Sequence, residues 1–276
     1  MSVSKIKSIA IILLLILNVF FLVVIVVTRA GSYYENREAL ENACEVLREN
    51  GIEVSPRDIH ANYGLARQEA LRDTERQEEI VLALLGVTDK NDLGGNIYSY
   101  TSPEKGEAIF YNNGEFSVEF FSEVFTQNGT AEKTTAKLLK EMKLEAMSAL
   151  ATGEEGAESV EAQCVYRGVR VMGCFVRVDF KDGAISAFTG RLVSKVTGTE
   201  QGETIISPLT ALLRFLNSCV NGEVSCTEIT RMEAVYQITE AGVFGYEYLA
   251  PAYLLTTDSG QYTVGEYGVR AVSERQ

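Results

Sequence analysis

Hydrophobic positions change their spacing several times along this chain, and each change marks an element. From Ile9 to Val27 the residues are apolar with one break, Asn18. At about 1.5 Å per residue, a helix of that length covers roughly the 30 Å hydrocarbon thickness of a bilayer. Lys5 and Lys7 precede the run and Arg29 follows it, so long cationic side chains flank both ends. A cleaved signal peptide normally has a shorter apolar region closed by a small-x-small site, and Thr28-Arg29-Ala30 is a poor version of one. The run therefore reads as an uncleaved transmembrane helix.

Beyond it, Leu40, Ala43, Cys44 and Leu47 recur at helical spacing inside Tyr33 to Gly51, and Asn50-Gly51 supplies a left-handed end. Leu65 to Leu85 is a second helical stretch whose charged middle, Arg72 to Glu79, makes it a solvated or broken helix. From Asn96 the period becomes two: Asn96–Tyr100, Glu107–Tyr111 and Glu115–Phe121 alternate as strands, with Asn112-Asn113-Gly114 as a hairpin turn. Helical spacing returns over Ala131 to Leu150, followed by strands at Val160–Tyr166, Val169–Phe180 and Ala184–Phe188. The order then recurs: a helix from Pro208 to Cys219 capped at Asn221-Gly222, strands near Glu228–Thr239 and Tyr246–Leu249, and a last pair, Ala252–Thr257 and Gln261–Glu266.

This pattern predicts an α+β fold: an N-terminal transmembrane helix followed by repeated helix-plus-antiparallel-meander modules, each helix laid on its own sheet. The expected divisions are 1–30 for the cytoplasmic tail and anchor, 31–125 for a membrane-proximal α+β module, and 126–200 and 201–276 for the two repeats. The tail before the anchor is very short, and a large C-terminal domain is translocated largely regardless of its charge. The domain after the anchor is accordingly expected outside the cytoplasm.

Charge narrows the partners. The chain carries a net −13, and removing the three cations of residues 1–30 leaves −16 on the remainder. Such a surface repels phosphates, which disfavours nucleic-acid binding and peripheral adhesion to anionic lipid. With one histidine, His60, and no C-x-x-C among Cys44, Cys164, Cys174, Cys219 and Cys226, no metal pattern is present. In an oxidising compartment Cys164 with Cys174 and Cys219 with Cys226 could each close a short loop, leaving Cys44 unpaired. Equally, all five could be small buried hydrophobes.

The search for chemistry returns little. Ser102-Pro103-Glu104-Lys105 matches S-x-x-K, but Pro103 and Gly106 place it in a hairpin rather than on a helical turn. The carboxylate pairs Glu78-Glu79 and Glu154-Glu155 lack an apolar setting that would make either an acid catalyst. Asn128-Gly129-Thr130 is a formal glycosylation acceptor. No cofactor site and no enzymatic activity are expected. Asn18 is the polar group its surroundings single out, since an amide in hydrocarbon seeks a partner on a neighbouring helix, a contact worth about 1 kcal/mol or less.

Two stretches resemble a known family. SKIKSIAIILLLILNVFFL, then a short helix and ENGIEV, is similar to the N-terminus of the YycH/YycI family, and of YycI more closely. LAPAYLLTTDSGQYTVGEYGVRAV resembles that family's ending, and YRGVRVMGCFVRVDFKDGAISAFTG looks like the strand pattern it shares with PepSY-like modules. These are membrane-anchored accessory regulators of the WalK-type sensor histidine kinase of Gram-positive bacteria. The resemblance implies a cytoplasmic N-terminus, an extracytoplasmic domain in a single-pass cell-membrane protein, and regulation by contact with the kinase and a sister anchored protein. It carries over no catalytic residue. The alternative is a PepSY-like inhibitor or chaperone of an extracytoplasmic protease, or a cell-wall assembly factor.

Overall fold

The computed structural model describes residues 37–60, 65–123, 125–127, 129–146, 150–154, 157–199, 206–240 and 246–272. The apolar run at 9–27, with Asn18, and the Asn128 acceptor lie outside them. Among the described residues no helix is long and apolar enough to cross a membrane.

The protein is dominated by β-structure: 16 strands join in one mixed hydrogen-bonded sheet, with helices packed against it. After helix α1 (37–49) come β1 (Glu53–Val54), β2 (Ile59–His60), β3 (Gln68–Leu71) and α2 (Thr74–Leu85). A meander follows: β4 (Asp89–Gly94), β5 (Ile97–Ser102), β6 (Gly106–Phe110) and β7 (Glu115–Phe120). Helix α3 (Ala131–Glu141) leads to β8 (Leu150–Glu154), β9 (Ala157–Tyr166), β10 (Val169–Lys181), β11 (Ala184–Arg191) and β12 (Lys195–Thr199). Helix α4 (Pro208–Val220) precedes β13 (Glu228–Glu240), β14 (Tyr246–Thr257), β15 (Gly260–Gly265) and β16 (Gly268–Ala271).

This pairing overturns the expected fold of repeated helix-plus-meander modules. Strand β13 gives one edge to β14 over nearly its whole length, while β1, β2 and β10 line up in succession along the other edge, all parallel to it. Strand β14 in turn pairs β15 through residues 253–257 and β3 through 246–249, and β3 pairs β12. An unpaired strand edge is a row of open donors and acceptors, and here the edges of each supposed module are filled by strands from elsewhere in the chain. The outcome is one continuous sheet, not a repeat.

The seam lies on β10. Its Val171 and Met172 pair with Tyr236 and Gln237 of β13, and its residues 176–181 pair with β11. Between them Gly173 takes φ +80, and the register against β9 shifts. A left-handed residue inside a strand is a glycine's role and bends the ladder.

Two helical expectations also change. Leu65 to Leu85 divides into β3 and α2, because the Asp73 carboxylate accepts the Arg76 backbone N–H and starts the helix there. The helix from Ala131 stops at Glu141, where Lys143 adopts φ +52, so Leu150 belongs to a strand. Tyr246–Leu249 and Ala252–Thr257 form one strand running through Pro251. The proline faces Tyr236 of β13, and on the other edge it sits in the gap between the β3 and β15 pairings, where no donor is demanded.

Two large apolar clusters result, beside a minor one of Val235, Ala252 and Leu254. The larger packs α2 and α3 onto β5–β7 and β9–β11, with Phe110, Phe116 and Phe188 at its centre, ring centroids 5.7 and 5.0 Å apart. The smaller packs α1 and α4 onto β13–β15 through Leu47, Leu212, Phe215 and Met232.

Candidate functional site

Among the described residues, the fragments of catalytic groupings that the sequence offers are not brought together; the Glu154-Glu155 side chains lie outside them. His60 lies on β2, exposed, in register with Glu233. Ser102 is buried at the end of β5, and the Lys105 backbone N–H donates to the Ser102 carbonyl across a tight turn, at 3.1 Å. Glu78 pairs with Lys90 at 2.6 Å and Glu79 with Arg76 at 2.7 Å. No group of three or more histidine, cysteine or acidic residues could hold a metal among the described residues.

The cysteines separate into two environments. Cys164 and Cys174 are buried in the larger core, their thiols facing the carbonyls of Arg191 and Leu192 at 3.9 and 3.6 Å. Burial pushes both thiols up, Cys164 to about 12. Cys44, on the buried face of α1, is likewise raised by burial. Cys219 and Cys226 are only half-buried, and each influences the other's thiol. All five cysteines are free.

The second pair is brought together by the end of α4. Asn221 caps the helix and Gly222, at φ +75, reverses the chain. The N–H groups of Glu223 and Val224 then both donate to the Ser218 carbonyl, at 2.9 and 3.3 Å, so the chain runs back beside the last helical turn. This is a glycine-terminated cap that satisfies orphan carbonyls, and it delivers Cys226 to Cys219. The spacing of the two cysteines and the Asn-Gly cap were visible in the sequence.

What pattern reading missed is the third wall. The turn between α1 and β1, through Asn50 and Ile52, closes an open pocket of about 170 Å³ against Leu216, Cys219, Val224 and Cys226. Glu53 N–H donates to the Thr227 carbonyl at 2.8 Å, and β1 pairs with the first residues of β13. Val220 of α4 also lines this pocket and is 67% exposed, and the same two helices expose Val46 on α1 and Leu213 on α4.

No family model matches the chain, and no curated protein matches it. The crystal structure of an uncharacterized protein from Eubacterium rectale ATCC 33656 is similar at 10% sequence identity, over 77% of this chain and 80% of that chain, with a TM-score of 0.48. A likeness of that degree carries no argument about function.

Proposed function

We propose that this protein is a membrane-anchored, extracytoplasmic regulator that modulates the sensor histidine kinase of a two-component system by protein–protein contact, alongside a sister anchored protein. The observation that carries the reading is the apolar run Ile9–Val27 with its cationic flanks, in a stretch that resembles the YycI N-terminus. Ten residues after Val27 the described body begins with α1, a separation that an extended chain covers in about 35 Å at most. A body tethered so closely acts on neighbours in the same membrane at high effective concentration.

Surface features support contact as the means. The exposed Val46, Leu213 and Val220 lie on α1 and α4, the helices packed together in the smaller core. Apolar side chains grouped on a surface favour protein partners, and the surrounding net negative charge disfavours nucleic acid.

Affinity purification of the full chain from detergent-solubilised membranes tests the reading. A co-purifying histidine kinase supports it, and charged substitutions at Leu213 and Val220 should reduce the recovered kinase. Recovery of a protease or a wall-assembly enzyme in place of the kinase would transfer the assignment to the PepSY-like alternative.

A further inference from the structure

Of the five thiols, Cys219 and Cys226 alone combine partial exposure with a shared pocket. Three features prepare them to react as a pair. The α4 cap holds the chain folded back, with two N–H groups on the Ser218 carbonyl, so the segment carrying Cys226 returns beside the last turn of α4, which carries Cys219. Both side chains line an open pocket, which gives a small reagent a path to them. The two thiols also differ: burial raises both, but the neighbouring Cys226 lowers Cys219, while Cys226 is pushed up to about 12.

We propose that Cys219 and Cys226 are a redox-active dithiol that closes to an intramolecular disulfide by exchange with a low-molecular-weight disulfide. The Cys219 thiolate attacks one sulfur of the reagent RSSR, forming a mixed disulfide and releasing RS⁻, which takes up a proton from water. Cys226 gives its proton to water, attacks the Cys219 sulfur and expels the second RS⁻. Two protein thiols are oxidised to one disulfide and RSSR is reduced to two RSH. Cys219 is the entry point because it holds the negative charge more easily than Cys226.

The oxidised bridge lies in the pocket wall opposite Asn50 and Ile52, where α1 joins the sheet. The state of the pair is thus displayed beside the end of α1, the first described helix that follows the apolar run in the sequence. The inference does not depend on which partner the protein binds.

Full-length protein in detergent is incubated with oxidised glutathione, denatured, alkylated and digested with trypsin. Phe215 to Arg231 is a single tryptic peptide holding both cysteines, so the chemistry is read on one mass. The expected result is loss of two hydrogens from that peptide, at least about 10-fold faster than any change at Cys44, Cys164 or Cys174. Cys226→Ser should instead accumulate glutathione on Cys219, and Cys219→Ser should leave Cys226 unmodified over the same time. Wild-type protein that keeps both thiols free, that retains glutathione on either one, or that oxidises all five cysteines at one rate would overturn the proposal, and none of these readings requires either variant to fold.

Discussion

Arg191 Nη2 lies 2.6 Å from Glu247 Oε1, although β10 and β13 separate their strands in the sheet order. The second carboxylate oxygen of Glu247 accepts the Ser194 hydroxyl at 2.8 Å. Residues 192–194 are the link that carries the chain from β11 to β12, which pairs with β3 far along the sheet. One carboxylate therefore grips this crossover at both ends, at a site where the two charged side chains are 20% and 12% exposed.

Removing one partner of such a pair strands the other charge, and Arg191 Nε already lacks a hydrogen-bond partner. Glu247→Gln should cost about 2 kcal/mol of stability. The double variant Arg191→Met/Glu247→Leu should recover much of that loss. Urea unfolding of the singles and the double checks this, and additive losses would show that the pair is not coupled.

Gly190 precedes Arg191 on β11 and packs against β10. A Cβ there would stand 2.1 Å from the Phe175 carbonyl oxygen of β10, which is backbone and has no freedom to yield. Gly190→Ala should destabilise by about 3 kcal/mol or more, whereas Gly168→Ala, with nothing near its Cβ, should lose only about 1 kcal/mol through its left-handed φ of +77. Thermal denaturation of the two variants side by side gives the comparison.

Asp258 begins the β14–β15 turn and accepts the Thr227 hydroxyl and the backbone N–H groups of Thr227 and Glu228. Those bonds, led by the Thr227 hydroxyl, hold its carboxyl below the usual carboxylate range. A lowered folded-state pKa stabilises the protein above the unfolded value, about 3.9, and that contribution disappears as pH falls through the folded value. Wild type should therefore exceed Asp258→Asn in urea midpoint at pH 7, and the gap should close on acidification below about pH 4. A gap that persists at pH 2 would show that the carboxylate's charge is not responsible.

Deletion of residues 1–30 tests the anchor. The full chain should stay in the membrane pellet after alkaline carbonate washing and be digested by protease added to intact protoplasts. The truncated chain should appear in the soluble fraction. A full chain that washes off would remove the anchor from the functional reading.

Local signals were read well where one element carries its own instructions. Of the α1 stripe, Ala43, Cys44 and Leu47 are buried as their spacing required, and Leu40 is partly buried against them. Asn113 and Gly114 form the turn before β7, with the Glu115 N–H donating to the Asn113 side chain at 3.1 Å. The α4 cap at Asn221-Gly222 stands where its residue types placed it. Strand β4 was not read, because all six of its residues are exposed and an edge strand with no buried face has no period-two signature. Pro251 produced the opposite error, splitting β14, since its tolerance depends on the gap between two partner strands that sequence spacing does not encode.

The pocket at Cys219 and Cys226 divides in the same way. Their separation and the glycine cap between them are local, whereas the Asn50–Ile52 wall comes from residues far earlier in the chain.

By itself, the amino-acid sequence determined α1 and α4, most hairpins, the acidic balance and the long apolar run near the N-terminus, because caps, turns and periodicity act over a few residues. Only the tertiary structure decided which strand edges meet: that β13 takes β1, β2 and β10 along one side, and that Glu247 reaches Arg191. Backbone donors and acceptors are the same in every residue but proline, so strand pairing across distant segments is chosen by how the buried faces fit together.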